Sequence, residues 1–213
     1  MKEESVSVKQ GKKALFYLIV QYQTDKIEAE RTIQMGNGNR GNIMIIKNGL
    51  VFTPEGKFEK KDLYVEGEYV AKETTDNKEV EAEGCYVIPG LVDIHFHGCV
   101  RHDMCDGTEE SIQALADYEA ANGVLAICPA TMTIPEEELF QAMKAAKEHK
   151  NGKGADLVGI NMEGPFINKE KKGAQKEEDI KLADIELFHK LQEAAGGLIK
   201  LVDLAPETEG AMD

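Results

Sequence analysis

The sequence lacks any apolar run long enough to span a bilayer. Its longest, ALFYLIV at residues 14–20, is about a third of the roughly 20 residues a membrane helix needs, so no membrane span is expected. No small-residue cleavage site follows that run, and the opening MKEESVSVKQGKK mixes acids with bases, so a secretory signal is not read and the cytoplasm is the expected compartment. Basic residues are in deficit: 25 Lys plus Arg stand against 39 Asp plus Glu, a formal charge of -14. That balance argues against non-specific nucleic-acid binding, which needs a basic face to neutralise phosphates, while leaving room for a local basic pocket. Cysteine is sparse, with Cys85, Cys99, Cys105 and Cys128 in no Cys-x-x-Cys pair, which disfavours a structural zinc knot and favours reduced, packed thiols.

What is present divides the 213 residues into three parts. Residues 1–43 hold the apolar run, then QTDKIEAERTIQ, then the Gly/Asn stretch MGNGNRGN, and read as an extension, either disordered or foreign to the protein. Residues 44–89 carry short β-rich runs broken by NG, PEGK and EGE, turn signals that imply a small antiparallel, β-sandwich-type domain. From residue 90 strand and helix alternate: LVDIHFH, a helix from Glu109 to Asn122, VLAICPAT, a helix from Pro135 to Lys150, DLVGINMEGPF, a helix over 179–194, and LIKLVDLAPE. Thr108 and Thr133 precede the first two helices as start signals. The expected fold class is α/β, with a parallel sheet of about four βα units, half of what a TIM-like (β/α)8 barrel requires.

Chemistry gathers in IPGLVDIHFHG. On a strand, alternate side chains share a face, so His95 and His97 point one way and Ile94 and Phe96 the other. An isolated His-x-His is as often packing as ligation, but in parallel α/β folds reactive groups collect where strands end, and both histidines fall there. Glu163, in NMEGPF, sits at the corresponding end of the third strand; with two imidazoles it makes a borderline-soft metal site suited to Zn(II) or Fe(II). Asp93 either orients a ligand or makes a structural hydrogen bond. His102 falls in a loop and His149 and His189 on helices, where surface or packing roles suit them. Lys169, Lys171 and Lys172 form a charged loop whose commoner meaning is solvation rather than phosphate attraction.

These motifs carry a resemblance. IPGLVDIHFHG after a turn-rich β-segment is similar to the amidohydrolase superfamily, and MEGPFIN, KKGAQ and KLVDLAPE, in that order, resemble its N-acetylglucosamine-6-phosphate deacetylase branch. The resemblance implies deacetylation of N-acetylglucosamine 6-phosphate, a small phosphosugar, using a divalent metal, Zn or Fe. It implies that Glu163 binds the catalytic ion, that His95 and His97 match members holding a second one, and that Ala174 and Gln175 touch the sugar, although some members have histidine at the place of Gln175. It also implies a homodimeric full-length form, and two further histidine ligands and an aspartate base on later strands beyond residue 213, so that no catalytic base is assigned in this chain. Other readings left open are an amidohydrolase acting on a cyclic amide, and a non-catalytic binding or scaffolding relative.

Overall fold

The structure, a computed structural model, describes residues 17–21, 44–66, 69–72 and 79–212. Among the described residues six strands make one mixed sheet: β1 (Tyr17–Gln21), β2 (Met44–Phe52), β3 (Phe58–Glu66), β4 (Tyr69–Ala71), β5 (Glu79–Glu81) and β6 (Cys85–Pro89). The order is β1-β6-β2-β3-β4, with β5 on β2. The expected antiparallel sheet is therefore mixed, because β2 pairs parallel with both β5 and β6, while the β2–β3 and β3–β4 pairs are antiparallel. The turn signal PEGK closes the β2–β3 hairpin, where the Gly56 amide donates to Thr53 O at 2.9 Å. Ile46, Val51, Leu63, Ala82, Cys85 and Val87 bury a small core of their own.

The extension read from sequence is not wholly outside this sheet. Residues 17–21, from the apolar run, pair antiparallel with β6, Tyr17 opposite Pro89 and Gln21 opposite Cys85. An aromatic and β-branched segment is what a sheet edge accepts, which is the physical reason for the difference. The rest of the expectation for residues 1–43 lies outside the described residues.

From Leu91 the chain is built of parallel strands and helices. β7 (Leu91–Asp93) leads through a hairpin, β8 (Gly98–Cys99) and β9 (His102–Asp103), to α1 (Glu109–Ala121); β10 (Val124–Ile127) is followed by α2 (Glu136–Glu148); β11 (Asp156–Leu157) and β12 (Ile160–Glu163) precede α3 (Ile185–Ala194) and β13 (Ile199–Asp203). β10 lies between β7 and β11, and β12 pairs with β13, all parallel. A parallel bridge from Ala130 to Asn161 links the extension of β10 to β12, so strands adjacent in sequence are adjacent in space. His102 thus stands on a short strand rather than in a loop.

Local chemistry explains the helix starts. Thr108 caps α1, its Oγ1 accepting from the Ser111 amide at 3.1 Å and pairing with the Ser111 hydroxyl. Asp184 caps α3 in the same manner, which is why that helix begins at Ile185 rather than near residue 179. At α2 the N-cap is Pro135, without a side-chain bond, and not Thr133. Between strands and helices lies the main core: Ile127, Leu157, Ile160 and Met162 against Ile112 and Leu115 of α1, Leu139 and Met143 of α2, and Leu187 and Leu191 of α3. Since Ile160 and Met162 are buried in it, the strand alternation sends Asn161 and Glu163 to the other face.

Candidate metal centre

Both histidines come from the segment after β7. Its pairing persists beyond Asp93, as the Ala130 amide donates to Phe96 O at 2.7 Å. Phe96 packs on the main core, leaving His95 and His97 to reach the opposite side, as the alternation predicts. Gly98 then lets the chain fold back at once, because a Cβ there would overlap the His102 carbonyl. The next hairpin turn holds Val100 and Arg101 at φ of 46° and 69°.

Glu163 Oε2 is 3.2 Å from His95 Nε2 and 3.3 Å from His97 Nε2. The two rings meet edge to face with centroids 5.3 Å apart. One ligand atom from each of the three residues lies within 4.8 Å of the others. Ligands at about 2.0–2.1 Å around a tetrahedral ion stand about 3.3 Å from one another, so the two measured separations already match tetrahedral edges. Two imidazoles and a carboxylate are a borderline-soft donor set, and the cluster fits a divalent ion while leaving positions for other ligands. The buried Nδ1 of His97 has no hydrogen-bond partner among the described residues.

The carboxylate is held from behind. Gln175 Nε2 donates to Glu163 Oε1 at 2.6 Å, and Gln175 Oε1 accepts from the Thr133 amide at 2.5 Å. Gly164, at φ 75°, turns the chain directly after the carboxylate where a Cβ would overlap Thr133 Oγ1. Gln175 is buried, its whole amide given to protein partners, while the neighbouring Ala174 is exposed. Lys172 Nζ donates to Gln175 O at 3.1 Å and so braces this loop, whereas Lys169 and Lys171 are exposed on it.

The structure answers the other sequence assignments. Asp93 Oδ1 accepts from the His95 backbone amide at 3.0 Å, ordering the chain rather than the ring. His102 Nδ1 is 3.9 Å from Asp106 Oδ2, and Asp103 caps the short helix beginning at Met104; neither belongs to the cluster. His149 terminates α2 with its side chain enclosed, 3.1 Å from Glu109 Oε1, and His189 is exposed on α3. Cys105 Sγ accepts from the Met132 amide at 3.1 Å, and burial pushes its thiol up to about 12. Burial likewise raises Cys85, Cys99 and Cys128, so these resting thiols keep their protons near neutral pH.

Two residues at the site were not singled out in the sequence. Asn161, two positions before Glu163, places Nδ2 2.9 Å from His95 Nδ1, and Asp203, ending β13, places Oδ2 3.8 Å from the same nitrogen. The signal for both was available: Asn161 shares the strand face of Glu163, and LVD recurs at 91–93 and 201–203 with an acid at each strand end.

No protein-family model matches the chain. Among curated proteins, the N-acetylglucosamine-6-phosphate deacetylase of Bacillus subtilis (strain 168) is 35% identical over 171 residues, which is 78% of this chain and 42% of that protein. The N-acetylgalactosamine-6-phosphate deacetylase of Escherichia coli O157:H7 is 28% identical over 171 residues, covering 79% and 45%. The crystal structure of N-acetylglucosamine-6-phosphate deacetylase from Pasteurella multocida matches with a TM-score of 0.70 over 80% of this chain and 47% of that one, at 21% identity, and so shares the fold. The chain spans less than half the length of these curated relatives.

Proposed function

We propose that this chain belongs with the N-acetylglucosamine-6-phosphate deacetylases, as a counterpart of their amino-terminal part, and that it supplies the first metal-binding portion of an enzyme that hydrolyses the acetamide of N-acetylglucosamine 6-phosphate. Residues 90–213 are read as the first half of a (β/α)8 barrel and residues 44–89 as its small β-domain. The sequential parallel order from β7 to β13, with helices on one side, supports that reading. The observation that carries the proposal is the meeting of His95, His97 and Glu163 where parallel strands end.

A divalent ion held there, zinc or iron, would lower the pKa of bound water toward neutrality and polarise the amide carbonyl. The chain's own residues prepare for this. His95 and His97 offer nitrogen donors, Glu163 offers the charge, and Gln175 fixes the direction of that carboxylate. Ala174, exposed on the same loop, is assigned to the sugar, and Gln175 acts there through Glu163. The further histidine ligands and the aspartate that moves the proton are assigned to the portion of the relatives that this chain does not match. The partner is proposed to be a small phosphosugar, and the -14 charge of the chain argues against non-specific polynucleotide binding. Among the described residues no helix is long and apolar enough to cross a membrane, and the cytoplasm is the proposed site of action. The full-length form is proposed to be a homodimer.

The test is acetate release with added zinc or iron, from the 213-residue chain and from a chimaera that continues it with the unmatched portion of the Bacillus subtilis relative. The chimaera should turn over N-acetylglucosamine 6-phosphate, the short chain should not, and Glu163→Gln in the chimaera should cost at least about 10²-fold. Turnover by the short chain, or a folded and metal-loaded chimaera without activity, refutes the proposal. N-acetylgalactosamine 6-phosphate run alongside tests the epimer named for the Escherichia coli relative.

A further inference from the structure

Asn161 is buried at 4% exposure, and its amide makes two contacts from one atom. Nδ2 donates to the Ile94 carbonyl at 3.1 Å and lies 2.9 Å from His95 Nδ1, while Oδ1 is buried without a partner. The amide cannot be turned round without cost, since exchanging N and O would set Oδ1 against the Ile94 carbonyl oxygen, acceptor against acceptor. With a donor facing it, Nδ1 of the neutral ring must offer its lone pair. The ring proton then sits on Nε2, which faces Glu163 Oε2 at 3.2 Å.

We propose that Asn161 is a positioning residue that holds the metal-free His95 ring as its Nε2–H tautomer, so that a cation must reverse this arrangement to use Nε2. A ligand binding through Nε2 needs its proton on Nδ1, where an acceptor usually holds it. Asp203 Oδ2, 3.8 Å from Nδ1, is the acceptor on hand for that form. The ring therefore stands between a donor that suits the Nε2–H form and a carboxylate that suits the ligating form. The two forms are both neutral, and no titration enters. Only the consequence for metal uptake rests on the reading of the site above; the tautomer is a property of the metal-free chain.

The experiment is two-bond 1H–15N correlation on metal-free chain labelled with 15N-histidine, with His95 assigned by its loss in His95→Asn. Wild type should show His95 as Nε2–H. Asn161→Ala should remove that preference, and Asn161→Asp, whose carboxylate only accepts, should move the proton to Nδ1. Calorimetric zinc titration should then show several-fold tighter binding by Asn161→Ala, which adds no charge. An Nδ1–H ring in the wild type, which needs no variant to fold, overturns the proposal. So does a tautomer unchanged in folded variants. A tautomer that responds as stated, with zinc bound by no form, upholds the role of Asn161 and instead refutes the metal reading of the site.

Discussion

Gln175→Leu tests how firmly the carboxylate is built in. Leucine keeps the volume and the apolar contacts but strands two polar groups at once. The Thr133 amide, in a residue 2% exposed, loses its acceptor, and an orphaned buried amide costs about 1–3 kcal/mol. Glu163 Oε1 loses a 2.6 Å bond to a charged acceptor, worth about 1.5–3 kcal/mol, but its side chain is 24% exposed and water restores part of that. The lower half of each range gives a loss of about 3 kcal/mol, equivalent to roughly 6–12 °C in Tm for a chain of this size. Urea unfolding in EDTA measures it without any contribution from metal. Lys153→Ala is the control: its 2.7 Å pair with Asp117 is shorter than most, yet the two side chains are 75% and 40% exposed, so its loss should stay within about 0.5 kcal/mol. If Gln175→Leu destabilises no more than this control, the hydrogen bonds drawn through Gln175 do not hold the site.

Zinc at 100 times its Kd should stabilise the wild type by about 2.7 kcal/mol in thermal unfolding and leave the double variant His95→Asn, Glu163→Gln unchanged; equal metal content in both by elemental analysis refutes the cluster. Cys105 should resist Ellman's reagent at pH 8 until the chain unfolds, and reaction in the folded state refutes its burial. Because the folded thiol keeps its proton up to about 12 against an ordinary 9.0, its contribution to stability is level below pH 9 and falls as pH rises from 9 toward 12, read as a loss of urea midpoint that Cys105→Ala removes. Val100→Gly should stabilise by about 1 kcal/mol in urea, since a β-branched residue at φ 46° is strained and this one is exposed; a destabilisation shows that the turn is not held there. Leu91, Val92 and Ile94 at one edge of the parallel strands and Leu201, Val202 and Leu204 at the other are exposed, so sedimentation should show concentration-dependent association that Val92→Lys with Leu201→Lys weakens; a monomer at all concentrations counts against it.

The alternation of strands and helices was legible because local signals agreed with the fold: Thr108 caps the helix it precedes, and Phe96 and the histidines part to opposite sides as period two requires. Legibility ended where a residue's partner came from a distant part of the chain. Thr133 looks like a helix start, but its amide is needed by Gln175, 42 residues later, and Pro135 takes the cap. Gln175 follows Glu163 by 12 positions through a loop with no period, so nothing local announces that its amide fixes the carboxylate. DLVGINMEGPF reads as one strand and forms two, because at Gly159 the chain passes so close to Cys128 and Lys200 that a Cβ would meet Cys128 Sγ at 2.5 Å.

Register explains why Asp203 reaches the site at all. β12 and β13 begin with Ile160 opposite Ile199, and an unbroken ladder would set Glu163 opposite Val202. Instead Asn161 faces Leu201, the register slips by one residue at Lys200, and Glu163 comes to lie opposite Asp203. A bulge of this kind bends the strand and re-aims the residues beyond it. Here it brings a carboxylate beside the His95 ring that Asn161 contacts from the next strand. The same slip leaves Ile199 buried in the helix-side core, so the core fixes the start of β13 while the bulge sets its end. Packing and chemistry make separate demands on one short strand, and the extra residue is what lets both be met.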